Sequence, residues 1–253
     1  MPKVPAWPPR STPRLYWPQE LAVDARVEPD RAQARYLLQV MRRGEGDPVR
    51  LFDDIGGEFL GRLRDAGRSS CILEVTQHLA TREKVPDLWL CAAPIHKDNF
   101  AHVAEKSAEL GVRRFVPTPM QRCQRGEVKA DRLMKRMIEA AEQCERTALP
   151  ELADAAPLTD LLADWPQERA LFFCDETGGE PAMEAFAAHD GPAAILIGPE
   201  GGFDPAERDA VLALPQARGI TLGPRILRAE TAAIAACALW MAVAGDWSGE
   251  PRA

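Results

Sequence analysis

Residues 193–207 read AAILIGPEGGFDPAE. The first five form a continuous apolar run of strand length, the pattern of a strand buried on both faces of a parallel sheet. Gly198, Gly201 and Gly202 then let the backbone turn sharply and approach a ligand closely. Asp204 and Pro205, followed by Glu207, make a helix start: a side-chain cap, a proline at the first helical position and an acidic residue in the first turn. One glycine would serve a plain strand–helix turn, so three favour a loop that holds a ligand. The spacing is neither GxGxxG nor GxxxxGK(S/T), which argues against a Rossmann dinucleotide fingerprint and a phosphate-binding P-loop.

Outward from this stretch, residues 81–253 alternate between strand and helix patterns. Strands are predicted at 88–93, 114–117, 170–174 and 219–222. Helices are predicted at 181–187, 205–214 and 229–244, and over 128–147 with Leu133, Met137, Ala140, Ala141 and Cys144 inward. Phe100, Val103, Ala104, Ser107 and Ala108 mark another by their spacing, ended by Gly111. Such alternation predicts a parallel sheet covered by helices. Ligands then bind beyond the carboxyl ends of strands. Three of those ends carry chemistry: CDETGG at 174–179, IGPEGGF at 197–203 and LGPRILRAET at 222–231. In the third, Arg225 or Arg228 could neutralise a phosphate or orient a base, or form a salt bridge or cap. The helix that follows is apolar on nearly every face, so it must be buried in the core or against a second subunit.

The first 80 residues read differently. Three β-like runs, 48–53, 58–64 and 70–78, are joined by turn signals at 54–57 and 65–67, which suggests a small β-barrel. Before them a helix is predicted at 29–41, with Arg31, Arg35 and Arg42 along one face, either solvated or in contact with RNA. Residues 79–87 read as a linker and residues 1–13 as a proline-rich tail without an apolar core, unlike a secretory signal.

With 253 residues, 46% hydrophobic and 27% charged, the chain has ordinary globular composition. No stretch is long and apolar enough to span a bilayer, so no membrane and a cytoplasmic location are expected. Six cysteines without a CxxC pair and four histidines argue against a metal site. The net charge of −7 disfavours a nucleic-acid partner, but it is uneven: residues 1–80 sum to +1 and the remainder to −8. Arginine outnumbers lysine 25 to 6, and arginine is the better reader of phosphates and planar bases.

LIGPEGGF at 196–203 and LGPRILRAETA at 222–232, in that order, resemble the signatures of the ribosomal RNA small subunit methyltransferase E (RsmE) family, within the SPOUT class. RYLLQVMRRGEGD at 35–47, LFDDIGGEF at 51–59, HKDNFAHVAEKSAELGV at 96–112, RCQRGEVK at 122–129 and AAEQCERTALPEL at 140–152 extend the resemblance along most of the chain. Ala229 stands where a hydroxyl residue is common, Glu145 where glycine is usual, and LFDD replaces LFDG.

The resemblance implies a PUA-like β-barrel at 1–80 and a SPOUT α/β domain with a deep trefoil knot at 81–253. It implies a homodimer and S-adenosylmethionine-dependent methylation of uridine N3 in small-subunit ribosomal RNA. The cofactor-binding residues it implies are Leu196, Ile197, Gly198, Glu200, Gly201, Leu222, Gly223, Ile226, Leu227, Arg228 and Thr231, with Asp175 and Glu176 as further contacts. N3 of neutral uracil is a poor nucleophile, so a proton acceptor and an anion-stabilising donor are expected; Glu200 and Arg228 are the candidates, unless they form a structural ion pair. Arg31, Arg35, Arg42, Arg122, Arg125 and Lys129 are the candidate RNA contacts. The rival readings are a ribosome assembly factor that keeps the fold without transfer, and a SPOUT enzyme acting on another RNA or on a ribose hydroxyl.

Overall fold

The computed structural model describes residues 11–123 and 128–249. The chain divides into two compact units: Met1–Lys84 with Ala141–Leu149, and Val85–Ala140 with Pro150–Ala253.

The first unit is built on a five-stranded sheet. Its strands are β1 (Arg14–Tyr16), β2 (Arg26–Val27), β3 (Pro48–Phe52), β4 (Glu58–Arg64) and β5 (Ile72–Ala80), in the order β1-β3-β4-β5-β2. β1 pairs with β3 in parallel and the other ladders are antiparallel. Leu15, Val49, Leu51, Phe59, Leu63, Leu73 and Val75 share one apolar cluster with Ala34 and Leu37. The turn between β3 and β4 is organised by Asp53, whose Oδ1 accepts the amides of Ile55, Gly56 and Gly57 at 2.7–3.0 Å. Gly57 has φ +110°, and a Cβ there would overlap the Ala80 carbonyl.

The helix predicted at 29–41 is two structures. α1 (Arg31–Arg35) starts on a capping box, with Asp30 accepting from the Gln33 amide and the Gln33 side chain accepting from the Asp30 amide. It then widens into a π-helical turn over Tyr36–Val40, closed by Met41 N–H donating to the Tyr36 carbonyl at 2.9 Å. Arg42 follows with φ +51°, a left-handed conformation that ends the helix.

The second unit holds a seven-stranded, wholly parallel sheet. Its strands are β6 (Leu88–Ala92), β7 (Arg114–Pro117), β8 (Glu151–Leu152), β9 (Ala170–Cys174), β10 (Glu180–Pro181), β11 (Ala193–Ile197) and β12 (Ala217–Thr221), ordered β10-β12-β9-β11-β6-β7-β8. The helices are α2 (Lys97–Glu109), α3 (Ala130–Gln143), α4 (Leu158–Ala163), α5 (Ala182–Ala187), α6 (Pro205–Leu212) and α7 (Ala229–Val243). β11 is buried at every residue and bonded on both sides, to β6 and β9. Its side chains alternate: Ala193, Ile195 and Ile197 join one cluster, Ala194 and Leu196 the other. α7 packs on α2, α5, β6 and β11 and buries Ala232, Ala233, Ala236, Cys237, Trp240 and Met241. Thr231 and Ala242 on it are exposed, and Ile234 and Leu239 are half-covered.

The segment after α3 departs from the sequence reading. The helix stops at Gln143 rather than running to 147; Cys144 is exposed rather than inward, and Glu145 takes φ +64°. Residues 141–149 belong to the first unit, which supplies partners for their backbone. Arg14 donates to the carbonyls of Ala141 and Arg146, each at 2.7 Å, and to Glu58 at 2.5 Å. Its guanidinium also lies over the Phe52 ring, 3.9 Å from the centroid. The amides of Thr147 and Ala148 donate to Glu83, and that of Leu149 to Asp54. Arg50 bridges Glu58 and Glu145.

Arg14 is thus a buried cation whose donors are committed to fixed acceptors. Breaking a buried pair by removing one partner costs ~3–5 kcal/mol. Arg14→Met is expected to lose about 3 kcal/mol of unfolding free energy in urea, whereas Arg26→Met, which removes the exposed pair with Asp65, is expected to lose under about 1 kcal/mol.

Candidate functional site

β12, β9 and β11 are neighbours in the sheet, so the three chemically loaded strand ends meet. Together with Asn99 of α2 they enclose a cavity of about 650 Å³, within the second unit. That size falls in the range of roughly 300–1,000 Å³ usual for small-molecule sites.

The loop after β11 is shaped by its glycines. Gly202 has φ +69°, and a Cβ there would overlap the Glu176 carboxylate of the neighbouring loop. A Cβ on Gly198 would press on the Phe203 ring, which sits edge-on to Phe173 with centroids 6.0 Å apart. The Gly202 amide closes a turn onto the Pro199 carbonyl at 3.0 Å. Asp204 caps α6 by accepting from the Ala206 amide, with Pro205 at the first helical position, as the spacing predicts. Glu207 turns away from its own helix: it is buried and accepts the Gln121 amide at 2.9 Å.

The loop after β9 is fixed by Asp175. Its carboxylate accepts from the Thr177 amide and hydroxyl and is paired with Arg208, Nη2 to Oδ2 at 2.7 Å. Burial pushes the Asp175 carboxyl up, but the bonds from Arg208 and Thr177 outweigh it and hold the group below the usual carboxylate range. The loop after β12 runs through Gly223, with φ +108° and open space around it, to Arg228, which precedes α7. Arg228 and Arg225 are exposed, and Ile226 is 90% exposed. At the start of α7, Glu230 accepts from the Asn99 amide nitrogen at 3.1 Å.

Eight of the predicted cofactor residues line this cavity: Ile197, Gly198, Glu200, Leu222, Gly223, Ile226, Leu227 and Arg228. Three do not. Leu196 is fully buried on the other side of β11, because successive strand residues face opposite ways. Gly201 lies against Arg122, which donates to the Gly201 carbonyl at 3.1 Å. Thr231 is exposed on the first turn of α7, outside the lining. Asn99, Thr177, Phe203 and Glu230 line the cavity and were not singled out. Asn99 reaches the cavity because it stands in the first turn of the helix after β6, and β6 pairs with β11. Asp175 and Glu176 line it as expected.

The lining is mixed in charge. Glu176, Glu200 and Glu230 share the lining with Arg225 and Arg228 and with the apolar Ile197, Phe203, Leu222 and Leu227, while the Asp175 carboxylate is turned to Arg208. Glu200 is exposed, with the His96 amide 3.4 Å from its Oε1.

In the first unit, Arg31 and Arg35 are exposed beside a second hollow of about 630 Å³, and Arg42 is exposed just beyond the π-helical turn. Lys129 is exposed in the second unit. Arg122 is engaged with Gly201 and with Asp204 at 3.8 Å. Arg125 lies outside the described residues.

Comparison with known proteins matches the chain in two stretches. A family model of the RNA methyltransferase domain matches residues 81–241, and one of the RNA methyltransferase PUA domain matches 29–76. Together they define the class, RNA methyltransferases that carry a PUA domain. A ribosomal RNA small subunit methyltransferase E from Rickettsia conorii is 30% identical over 89% of this chain and 93% of its own. The protein of the same name from Synechocystis is 32% identical over 89% of this chain and 76% of its own. A crystal structure of that methyltransferase from Neisseria gonorrhoeae, bound to S-adenosyl methionine, superposes with a TM-score of 0.83 at 27% identity, covering 93% of this chain and 99% of the other. The chain belongs to the ribosomal RNA small subunit methyltransferase E family.

Two expectations follow from the loop geometry. Gly202→Ala should cost about 1–2 kcal/mol in denaturant unfolding, the cost of a left-handed conformation for a residue with a Cβ, with the Glu176 carboxylate displaced. Asp175 has its carboxyl lowered on folding, so its contribution is fully present above the unfolded value near pH 4 and is lost as pH falls through the folded value. The stability gap between wild type and Asp175→Asn should therefore be constant at neutral pH and shrink in acid titration below about pH 4.

Proposed function

We propose that the chain is an S-adenosylmethionine-dependent methyltransferase that modifies uridine N3 in small-subunit ribosomal RNA. The observation that carries this reading is the cavity at three adjacent strand ends in a chain whose relative is bound to the cofactor. The lining fits the group. Apolar side chains suit an adenine ring, exposed loop backbone suits its hydrogen-bonding edge, and the carboxylates suit a sulfonium and an α-amino cation.

The cofactor, when bound, supplies an electrophilic methyl group. Ile197, Leu222 and Leu227 hold the adenine, with Gly198 and Gly223 keeping the backbone open to it. Glu200 accepts the uracil N3 proton, and Arg228 stabilises the negative charge left on the base. Uridine pairs through N3, so the target must be unpaired or flipped before transfer. Arg31, Arg35, Arg42 and Lys129 hold the RNA backbone. Arg122 shapes the glycine loop as well as lying beside it.

The first unit is the RNA-holding PUA-like barrel and the second the SPOUT domain, with the deep trefoil knot that the family resemblance implies. The active form is a homodimer. Support comes from the apolar stripe that α7 leaves half-covered and from the exposed Ile226 on the cavity rim. No helix among the described residues is long and apolar enough to cross a membrane, and a cytoplasmic location fits a ribosomal substrate. The first unit carries no strong excess of positive charge, so an assembled or partly assembled small subunit is a better substrate than free RNA.

Mass spectrometry of ribosomal RNA after incubation with the protein and cofactor tests this. A single N3-methyluridine in small-subunit RNA, formed faster on particles than on naked RNA, is expected. A ribose methyl, or a methyl on another RNA, would assign a different SPOUT activity. RNA binding without cofactor binding or transfer would assign an assembly factor.

A further inference from the structure

The hollow in the first unit has a composition that phosphate contact alone leaves unexplained. It is lined by Arg31, Ala32, Arg35, Tyr36, Gln39, Val40 and Ser69. Tyr36 is 39% exposed and Val40 64% exposed, an aromatic and an aliphatic side chain presented to solvent at i and i+4 in a hollow that Arg31 and Arg35 also line.

The backbone explains why they stand out. Leu37 is fully buried and Leu38 packs against the same cluster. A regular α-helix would rotate successive residues by about 100° and carry the apolar stripe onward. Ala34, Leu37 and Leu38 take the buried side, so Tyr36, Gln39 and Val40 fall on the opposite face, and the π-helical turn over Tyr36–Val40 lies at the hollow they line. Single π turns in otherwise α-helical segments are frequent at functional sites.

The arginines beside them are uncommitted. Arg14, Arg26, Arg50, Arg64 and Arg82 of the first unit are paired with carboxylates. Among the described residues, none makes such a pair with Arg31 or Arg35. Two free guanidinium groups, one exposed aromatic face and a neutral amide form the combination that takes an unpaired nucleotide: phosphate on the cations, base on the ring, polar base edge on the amide. A duplex cannot offer its base faces, so the ring would contribute nothing to it.

We infer that this hollow is a second nucleotide subsite, separate from the methyl-transfer cavity, that captures a splayed-out base of single-stranded RNA on Tyr36 with its flanking phosphates on Arg31 and Arg35. The inference rests on the RNA-substrate reading above. It deepens that reading by making the first unit a detector of unpaired RNA rather than a general phosphate binder.

The test measures affinity of the full-length protein for a single-stranded oligoribonucleotide of about ten nucleotides and for a duplex of the same length, across a salt series. Cofactor is omitted, so the outcome does not depend on methyl transfer. Tyr36→Ala should weaken single-strand binding about tenfold, within the range for loss of one base–aromatic stack, and leave duplex binding unchanged. Tyr36→Phe should bind as wild type. Arg31→Ala with Arg35→Ala should weaken both probes and flatten the salt dependence by about 0.7–0.9 per lost phosphate contact. Tyr36→Ala binding the single strand as tightly as wild type, or losing both probes equally, would overturn the inference and leave the hollow to a protein partner or to phosphates alone.

Discussion

β11 is fixed from both sides. Every residue in it is buried, β6 and β9 hold its two edges, and its side chains are divided between two apolar clusters. A strand so constrained cannot shift register without moving a whole set of side chains to the wrong layer. Its end at Ile197 is therefore a fixed point, and the glycine loop beyond it leaves the sheet at a defined place. Because β9 lies next to β11 and β12 next to β9, the Asp175 loop and the Arg228 loop are brought to the same edge. The cavity is a consequence of strand order, and Gly202 lets the loop after β11 lie close against Glu176 of the loop after β9, where a Cβ would overlap.

A second constraint governs the other unit. Residues 146–149, beyond α3, carry backbone groups that no helix or strand satisfies, and Arg14, Glu83 and Asp54 satisfy them. Buried unpaired backbone groups are costly, so this stretch is held by side chains far away in sequence. Arginine here serves two different purposes. Arg14 is buried and Arg50 half-buried in an ion-pair network with Glu58 and Glu145, while Arg31 and Arg35 face solvent. A count of arginines per segment cannot separate the two.

What the sequence revealed follows from this physics. β4, β7, β9 and β11 fall where their apolar runs predict, since a buried strand writes its burial into consecutive residues. The Asp204 cap was equally local. β2, β8 and β10 are two residues each and carry no periodic signal. The end of α3 was hidden because the apolar spacing continues to Cys144, while the chain actually turns at Glu145 under tertiary contacts. Leu196 and Ile197 belong to one motif, yet strand alternation sends them to opposite sides of the sheet. Asn99 and Glu230 were invisible as a pair because 131 positions separate them.

A crystal structure of the protein grown with S-adenosylmethionine tests the proposed site at the loops after β9, β11 and β12. The cofactor is expected in the cavity between residues 174–178, 197–203 and 220–228, with its adenine against Ile197, Leu222 and Leu227. Cofactor density anywhere else on the chain, or none at saturating concentration, would contradict it.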